Sequence, residues 1–266
     1  MAEMKGYTDY RRLKLERDGR VLTVTITGTN ELNFIDSLFH TELSRIFTDI
    51  AQDPDTDAVV LTASGRCFCA GGDIEWFRSM TEAEKDHACS VEGRKIVLSL
   101  LELPQPIISA VHGPAIGLGA TVALFCDIVV AAPDAVFADP HVVLGLVAGD
   151  GGAIIWPWLI GMNRAKEFLL TGDRVKAEQA ERLGLVNRVV PREDLLADAQ
   201  AQAQRLAGGW QKAIRGTKTS VNKILRDQVN LVLDTSLAIE RQCMSSPDHE
   251  AAMAAFLESN RAAKKG

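Results

Sequence analysis

Two glycine-rich segments carry the residues best suited to chemistry in this chain. The first runs from Ser64 to Ile74 and contains Gly71 and Gly72, and the second runs from His112 to Ala120. Each follows an apolar run and precedes a predicted helix, so each presents backbone N–H groups at a helix start. Either segment alone fits an ordinary strand-to-helix turn. Two such donors aimed at one point form an oxyanion hole, so together they predict a site for carbonyl chemistry.

A histidine and an aspartate further along the chain form a second candidate group. Asp150 follows His141 across a mostly apolar stretch and lies in a Gly-Asp-Gly-Gly turn that would let its carboxylate face a pocket. A carboxylate can fix the tautomer of a histidine and stabilise its cation, so the pair could activate water or move a proton. Two alternatives stay open: Asp150 as the N-cap of a helix beginning near Gly152, and His141 as a surface or hydrogen-bonded histidine without a catalytic role.

The surrounding pattern predicts the elements that position these residues. Alternating apolar and polar residues around Asp18-Gly19 predict a β-hairpin, and apolar spacing predicts an amphipathic helix over Ser37–Gln52. Strand, glycine segment and helix then follow one another twice, which indicates an α/β layered fold. After Glu193 strand signals are absent, so we predict a core over 1–192 and a helical segment over 193–266. The further predicted strands are Ala58–Ala63, Ile107–Val111, Ile128–Ala132 and Val136–Ala138.

Composition excludes several classes of function. The chain has 266 residues, 47% of them hydrophobic and 24% charged, which is ordinary for a soluble globular protein. A net charge of −6 argues against nucleic-acid binding, and no apolar run is long enough to span a bilayer. Five scattered cysteines favour neither a disulfide framework nor a zinc site, and residues 1–12 lack a signal-peptide core. We expect a cytoplasmic protein without metal, nucleic-acid or membrane partners.

The ordered motifs resemble the crotonase (enoyl-CoA hydratase/isomerase) superfamily. Beyond the glycine segments, the motifs that carry the resemblance are Phe125–Ile128, Leu169–Asp173, Gly184–Pro191, Asp248–Glu250 and Ala255–Glu258. The resemblance implies a crotonase-type α/β spiral of ββα turns with a C-terminal helical trimerisation segment, and hence a homotrimer or hexamer. It also implies an acyl-CoA substrate, in which coenzyme A is part of the substrate, and no separately bound cofactor.

The resemblance also implies roles for individual residues. The backbone amides of Gly72 and Leu118 would donate to the thioester carbonyl, and glycine there permits close backbone approach. Asp73 is expected to be a helix N-cap and not a catalyst. The residues expected to contact the CoA part of the substrate are Arg66, Ala70, Gly71, Phe256 and Lys264.

Two positions depart from the hydratases of this superfamily. Where those enzymes use a pair of glutamates for the water and the α-proton, this chain has Thr121 and His141. A mechanism based on two glutamates therefore cannot be transferred. His141 would replace one glutamate as the proton-transfer group, and Thr121 could hold a water but is too weak a base to drive the reaction alone.

The replacement residues resemble a different branch of the superfamily. His141, Asp150 and Glu240 match the branch that hydrolyses C–C bonds in cyclic β-diketones, typified by 6-oxocamphor hydrolase. That branch has a further histidine where this chain has Leu118, and a tryptophan near Phe34. Three functions are therefore considered: an acyl-CoA enzyme of hydratase/isomerase type, a CoA-independent C–C hydrolase, and a catalytically silent acyl-CoA-binding protein.

Overall fold

Short strands frame the site in the computed structural model, which describes residue 7 and residues 9–263, with side chains up to Ser259. In chain order they are β1 (Leu13–Asp18), β2 (Val21–Ile26), β3 (Ala58–Ala63), β4 (Ile107–Val111), β5 (Pro114–Ile116), β6 (Ile128–Ala131), β7 (Val136–Ala138), β8 (Val175–Lys176) and β9 (Arg188–Val189). One sheet has the order β1-β2-β3-β4-β6-β9, and a smaller one has the order β5-β7-β8. The larger sheet is parallel except for β1, which pairs with β2 as the predicted hairpin.

Helices connect the strands and then form the C-terminal part of the described chain. The α-helices are α1 (Ser37–Ala51), α2 (Ile74–Ser79), α3 (Glu82–His87), α4 (Arg94–Glu102), α5 (Leu118–Leu124), α6 (Gly152–Ile160), α7 (Met162–Thr171), α8 (Ala177–Leu183), α9 (Leu195–Ala207), α10 (Gln211–Cys243) and α11 (Pro247–Ala263). A π-helix (Ala88–Gly93) joins α3 to α4, and 3₁₀ helices occupy His141–Leu144 and Arg192–Asp194. None of the described helices has the length and apolarity needed to cross a membrane.

Strand β3 shows how the sheet is covered on both faces. Val59 and Leu61 belong to the main core, which includes apolar side chains of α1 and α4. Ala58 and Val60 point to the opposite face and pack with α9. Side chains alternate between the two faces of a strand, so a continuous apolar run fits a strand that is buried on both sides.

The elements predicted around the site are confirmed, with small differences at their ends. Strands β3 and β4 have the predicted bounds, β6 ends one residue early at Ala131, and α1 ends at Ala51. Asp36 caps α1 by accepting a 2.8 Å hydrogen bond from the Phe39 amide. After Arg192 the described chain is helical, as expected, and α10 packs on α4, on the π-helix and on α6. The division into 1–192 and 193–266 stays a prediction.

Candidate active site

The two glycine-rich segments lie side by side. The Cys69 amide donates to Pro114 O (3.0 Å), and the Ile116 amide donates back to Cys69 O (2.9 Å). Gly119 makes this approach possible, because an added Cβ there would lie 2.6 Å from the Cβ of Cys69. Two segments that are distant in sequence are therefore joined by backbone hydrogen bonds.

Gly72 and Leu118 line a common cavity. Leu118 is the first residue of α5, where an N–H has no partner inside the helix. Gly72 precedes Asp73, which is confirmed as the N-cap of α2 and accepts a 2.8 Å hydrogen bond from the Glu75 amide. Within the described residues, neither the Gly72 nor the Leu118 N–H donates a hydrogen bond. Both residues line the cavity, which keeps their two N–H groups as candidate donors to a ligand.

The cavity has a volume of about 590 Å³ and a mainly apolar wall. Its larger apolar side chains include Phe34, Ile35, Trp76, Phe77, Ile116, Leu146, Leu237, Met244 and Phe256. The polar side chains among them include His40, His141, Asp150 and Glu240. An apolar pocket with a few convergent polar groups is the usual form of a small-molecule site.

His141 is surrounded by three carboxyl groups. Its Nδ1 is hydrogen bonded to Asp139 Oδ1, while Nε2 lies 3.5 Å from Asp150 Oδ2 and 3.7 Å from Glu240 Oε1. Asp139, Asp150 and Glu240 are all buried. Asp139 is thus the residue that is hydrogen bonded to the imidazole. Asp150 and Glu240 lie near Nε2, the other ring nitrogen, at distances too long for a good hydrogen bond.

Glycines allow the carboxyl groups to approach this closely. A Cβ on Gly152 would lie 1.8 Å from Asp139 Oδ2, and a Cβ on Gly149 would lie 2.4 Å from Glu240 Oε2. Gly152 is the first residue of α6, and the positive end of a helix favours a negative charge such as that of Asp139. The Gly-Asp-Gly-Gly turn therefore provides the space in which two acidic side chains reach the site.

The charges around His141 shift the titration of the whole cluster. Burial acts to lower the pKa of His141, but the charges of Asp139 and Asp150, the Asp139 hydrogen bond and the charge of Glu240 together raise it well above its usual value. Burial raises the pKa of Asp150, and it raises the pKa of Glu240 to about 8 against the opposing charge of His141. The surrounding carboxylates therefore favour the imidazolium form of His141.

Thr121 supports Asp150 and does not line the cavity. The threonine is 1% exposed, and its hydroxyl donates to Asp150 Oδ1 at 3.3 Å. The N-cap of α6 is Gly151, whose φ of +114° suits glycine, and no side chain caps this helix. The alternative that Asp150 is the helix cap is therefore wrong, and Asp150 lies between Thr121 and His141.

The residues expected to contact CoA are dispersed. Ala70, Gly71 and Phe256 line the cavity. Arg66 is exposed and is not among the cavity-lining residues, and Lys264 lies outside the described residues. The roles of all five in CoA binding stay predictions.

One group of ligand-type atoms in the described chain is close enough to hold a metal ion. It consists of Asp139, His141 and Asp150, whose ligand atoms lie within 4.8 Å of one another. However, Asp139 is hydrogen bonded to Nδ1 and Asp150 lies near Nε2, so the two carboxylates are on opposite sides of the same imidazole ring. This donor set is better suited to holding and moving a proton than to enclosing one ion.

Comparison with known proteins gives the family of the chain. The enoyl-CoA hydratase/isomerase family matches residues 16–265. The chain belongs to this family. One relative of the chain is the short-chain-enoyl-CoA hydratase of Clostridium acetobutylicum. It is 34% identical over 252 residues, which span 93% of this chain and 95% of the relative.

Solved structures confirm the crotonase-type fold of this family member. An enoyl-CoA hydratase/isomerase from Mycobacterium paratuberculosis superposes with a TM-score of 0.89 at 35% identity, covering 93% of this chain and 99% of the other. A β-diketone hydrolase from Anabaena sp. PCC 7120, bound to (S)-3-oxocyclohexyl acetic acid, gives a TM-score of 0.85 at 32% identity, covering 92% and 98%.

The sequence analysis did not identify three residues at the site, namely Asp139, His40 and Glu92. Asp139 is only two residues from His141, and that spacing was a usable signal. His40 and Glu92 form a buried hydrogen-bonded pair beside the cavity, and they come from α1 and the π-helix. No local motif marks that pair, because its partners are far apart in the sequence.

Proposed function

We propose that this protein is an acyl-CoA enzyme of the hydratase/isomerase type that works without a pair of glutamates. In this proposal the Gly72 and Leu118 amides hold the thioester oxygen, and His141 transfers the proton at the adjacent carbon. The observation that carries it is the opening of both free amides and the imidazole onto one apolar cavity. Membership of the enoyl-CoA hydratase/isomerase family supports the class of substrate.

The two amides would stabilise the enolate that forms when C2 of the acyl group gains or loses a proton. Negative charge then develops on the thioester oxygen, and donors already aimed at that oxygen require no reorganisation. Each such donor is worth about 3 kcal/mol in the transition state. The apolar wall strengthens this interaction, because it keeps water away from the developing charge.

His141 would supply the proton for C2. The charges that raise its pKa keep it an imidazolium, and the bond from Nδ1 to Asp139 leaves the Nε2–H for the cavity. Asp139 would stabilise the cation before transfer, and Asp150 and Glu240, which flank Nε2, would exchange protons with it afterwards. By microscopic reversibility, the same nitrogen would remove the C2 proton in the reverse direction.

Coenzyme A would enter as part of the substrate, with no separately bound cofactor. Ala70, Gly71 and Phe256 line the cavity and are placed to contact the ester. Arg66, which is exposed, and Lys264 would meet the more distant CoA phosphates. Relatives named as enoyl-CoA and crotonyl-CoA hydratases support this substrate class.

Calorimetric titration with CoA esters, followed by turnover of a panel of enoyl-CoAs, tests the proposal. Binding with turnover is expected, and His141→Gln should lower kcat by about 10²–10⁴-fold while leaving affinity nearly intact. Binding without turnover of any enoyl-CoA would instead support a silent acyl-CoA-binding protein. Absence of CoA-ester binding would refute the proposal.

A second candidate is hydrolysis of a C–C bond in a cyclic β-diketone. It is favoured by the grouping of His141, Asp150 and Glu240 and by the likeness to the Anabaena β-diketone hydrolase. Here water activated at the His141 cluster would attack one carbonyl, and the oxyanion site would hold the enolate that leaves. Turnover of cyclic β-diketones in the absence of CoA would favour this reaction over the first.

The assembly and the compartment are also proposed. A homotrimer or hexamer is supported by exposed apolar side chains on adjoining elements, namely Val143, Trp158, Met162 and Leu170. The five free cysteines fit the reducing cytoplasm. Sedimentation at micromolar concentration tests the assembly, and a monomer would contradict it.

A further inference from the structure

The cavity contains a second histidine whose environment parallels that of His141. The Nδ1 of His40 lies 2.6 Å from Glu92 Oε2, and the hydroxyl of Thr41 donates to Glu92 Oε1 at 2.7 Å. His40 and Glu92 are 7% and 8% exposed. In both pairs a buried carboxylate fixes Nδ1, so the other ring nitrogen is left for the cavity.

The free edge of His40 opens onto the proposed reaction space. His40 lines the cavity, and no described side chain or backbone group is hydrogen bonded to its Nε2. Trp76 packs against the ring with centroids 5.4 Å apart, which limits rotation of the imidazole.

The π-helix supplies the carboxylate that orients His40. Glu92 lies in Ala88–Gly93, inside one helical run that begins at Glu82 and ends at Glu102. A π segment widens the helix by one residue per turn, which changes the direction of the side chains that follow, and such segments are frequent at functional sites. Burial acts to raise the pKa of Glu92, but hydrogen bonds from His40 and Thr41 lower it below its usual value. Glu92 is therefore a charged acceptor for His40.

We propose that His40 is a second proton-transfer residue of this site and that Glu92 is its positioning residue. The proposal rests on the acyl-CoA function proposed above. In hydration of a 2-enoyl thioester, the Nε2 lone pair of His40 takes a proton from water as the water oxygen bonds to C3. The C2=C3 π electrons move to C2 and the thioester oxygen, and the His141 imidazolium gives its proton to C2. Solvent then removes the proton from His40 and returns one to His141.

The decisive variant is His40→Asn. Its amide nitrogen takes the place of Nδ1 and keeps the bond to Glu92, but nothing replaces Nε2. We expect hydration of a 2-enoyl-CoA to fall by about 10²–10⁴-fold. Exchange of the C2 proton of a saturated acyl-CoA in D₂O should be retained, because that step needs only His141 and the two amides.

Three further variants complete the experiment. His40→Ala should be partly rescued by added imidazole, and Glu92→Gln should lower hydration and shift its pH profile. His87→Gln is the matched control: His87 lies 3.6 Å from Glu92 Oε1 but is 60% exposed and does not line the cavity, so it should behave like the wild type.

The outcomes separate this inference from the function on which it rests. A wild-type protein with neither hydration nor C2 exchange refutes the acyl-CoA function itself. If the wild type hydrates normally, two results for His40→Asn would refute the role of His40 while leaving the acyl-CoA function intact. One is unchanged hydration, and the other is loss of hydration and C2 exchange to the same extent. Loss of hydration in His40→Asn with C2 proton exchange retained supports the role of His40 as a proton-transfer residue.

Discussion

His141 is bonded through Nδ1 to Asp139, and Asp139 in turn lies at the first residue of α6. Asp139 Oδ2 packs closely against Gly152, since a Cβ added to Gly152 would lie 1.8 Å from this oxygen. The orientation of the imidazole is thus set by a carboxylate that packs against the start of a helix, where the missing side chain of Gly152 leaves room for it. This relationship leads to the first two predictions.

Asp139→Asn should reduce turnover by about 10–100-fold, because a neutral amide orients the imidazole but does not support its cation. Loss of that charge lowers the pKa of His141, so the alkaline limb of the kcat/KM profile should move to lower pH. Steady-state kinetics from pH 5 to 10 measure this. Asp234→Asn is the control, since Asp234 is an exposed partner of Arg94. An unmoved alkaline limb would show that Asp139 does not govern His141.

Gly152→Ala should displace Asp139 and lower both turnover and stability. Overpacking of this kind costs about 1–3 kcal/mol, which thermal or urea unfolding can measure. Gly216→Ala is the matched control, because nothing lies within 4 Å of a Cβ at this position in α10. The control should be slightly more stable than the wild type and equally active. Normal activity of Gly152→Ala would contradict the positioning of His141 through Asp139.

Leu118→Pro tests the oxyanion donor without adding a charge. Leu118 is the first residue of α5, a position that tolerates proline, and the substitution removes only its backbone N–H and part of its side chain. We expect kcat to fall by about 10²–10³-fold relative to Leu118→Ala, which loses side-chain contacts but keeps the amide. Equal rates for the two variants would remove Leu118 from the oxyanion site.

Glu240→Gln should flatten the dependence of stability on pH. The pKa of Glu240 is raised from 4.5 to about 8, so between these values the folded protein binds a proton that the unfolded chain has lost. The free energy of unfolding therefore falls as pH rises through this window. At about 1.4 kcal/mol per pH unit, the total loss is a few kcal/mol.

The raised pKa values of His141 and Asp150 act in the same direction, so Glu240→Gln reduces the slope and does not abolish it. Urea unfolding at several pH values measures the slope. Glu258→Gln, at an exposed position in α11, should retain the slope of the wild type. The same slope in Glu240→Gln would show that Glu240 is not buried as described.

Local patterns in the sequence were sufficient for the framework. The apolar runs at Ala58–Ala63 and Ile107–Val111 are strands with the predicted bounds, and the glycine-rich segments follow them. Periodicity and turn residues act within a few positions of one another, so they can be read without knowing the fold. The resemblance to the crotonase superfamily is what placed His141 and Asp150 as candidates, and both line the cavity.

The sequence by itself therefore determined the family, the α/β framework and the segments that carry the site. Only the tertiary structure decided the partners of His141, because Asp139, Asp150 and Glu240 come from the end of β7, a glycine turn and α10. It likewise decided the pairing of His40 with Glu92 and the upward direction in which the pKa of His141 shifts. Pairing, burial and pKa depend on distances through space between residues far apart in the chain, and those distances exist only once the elements have packed.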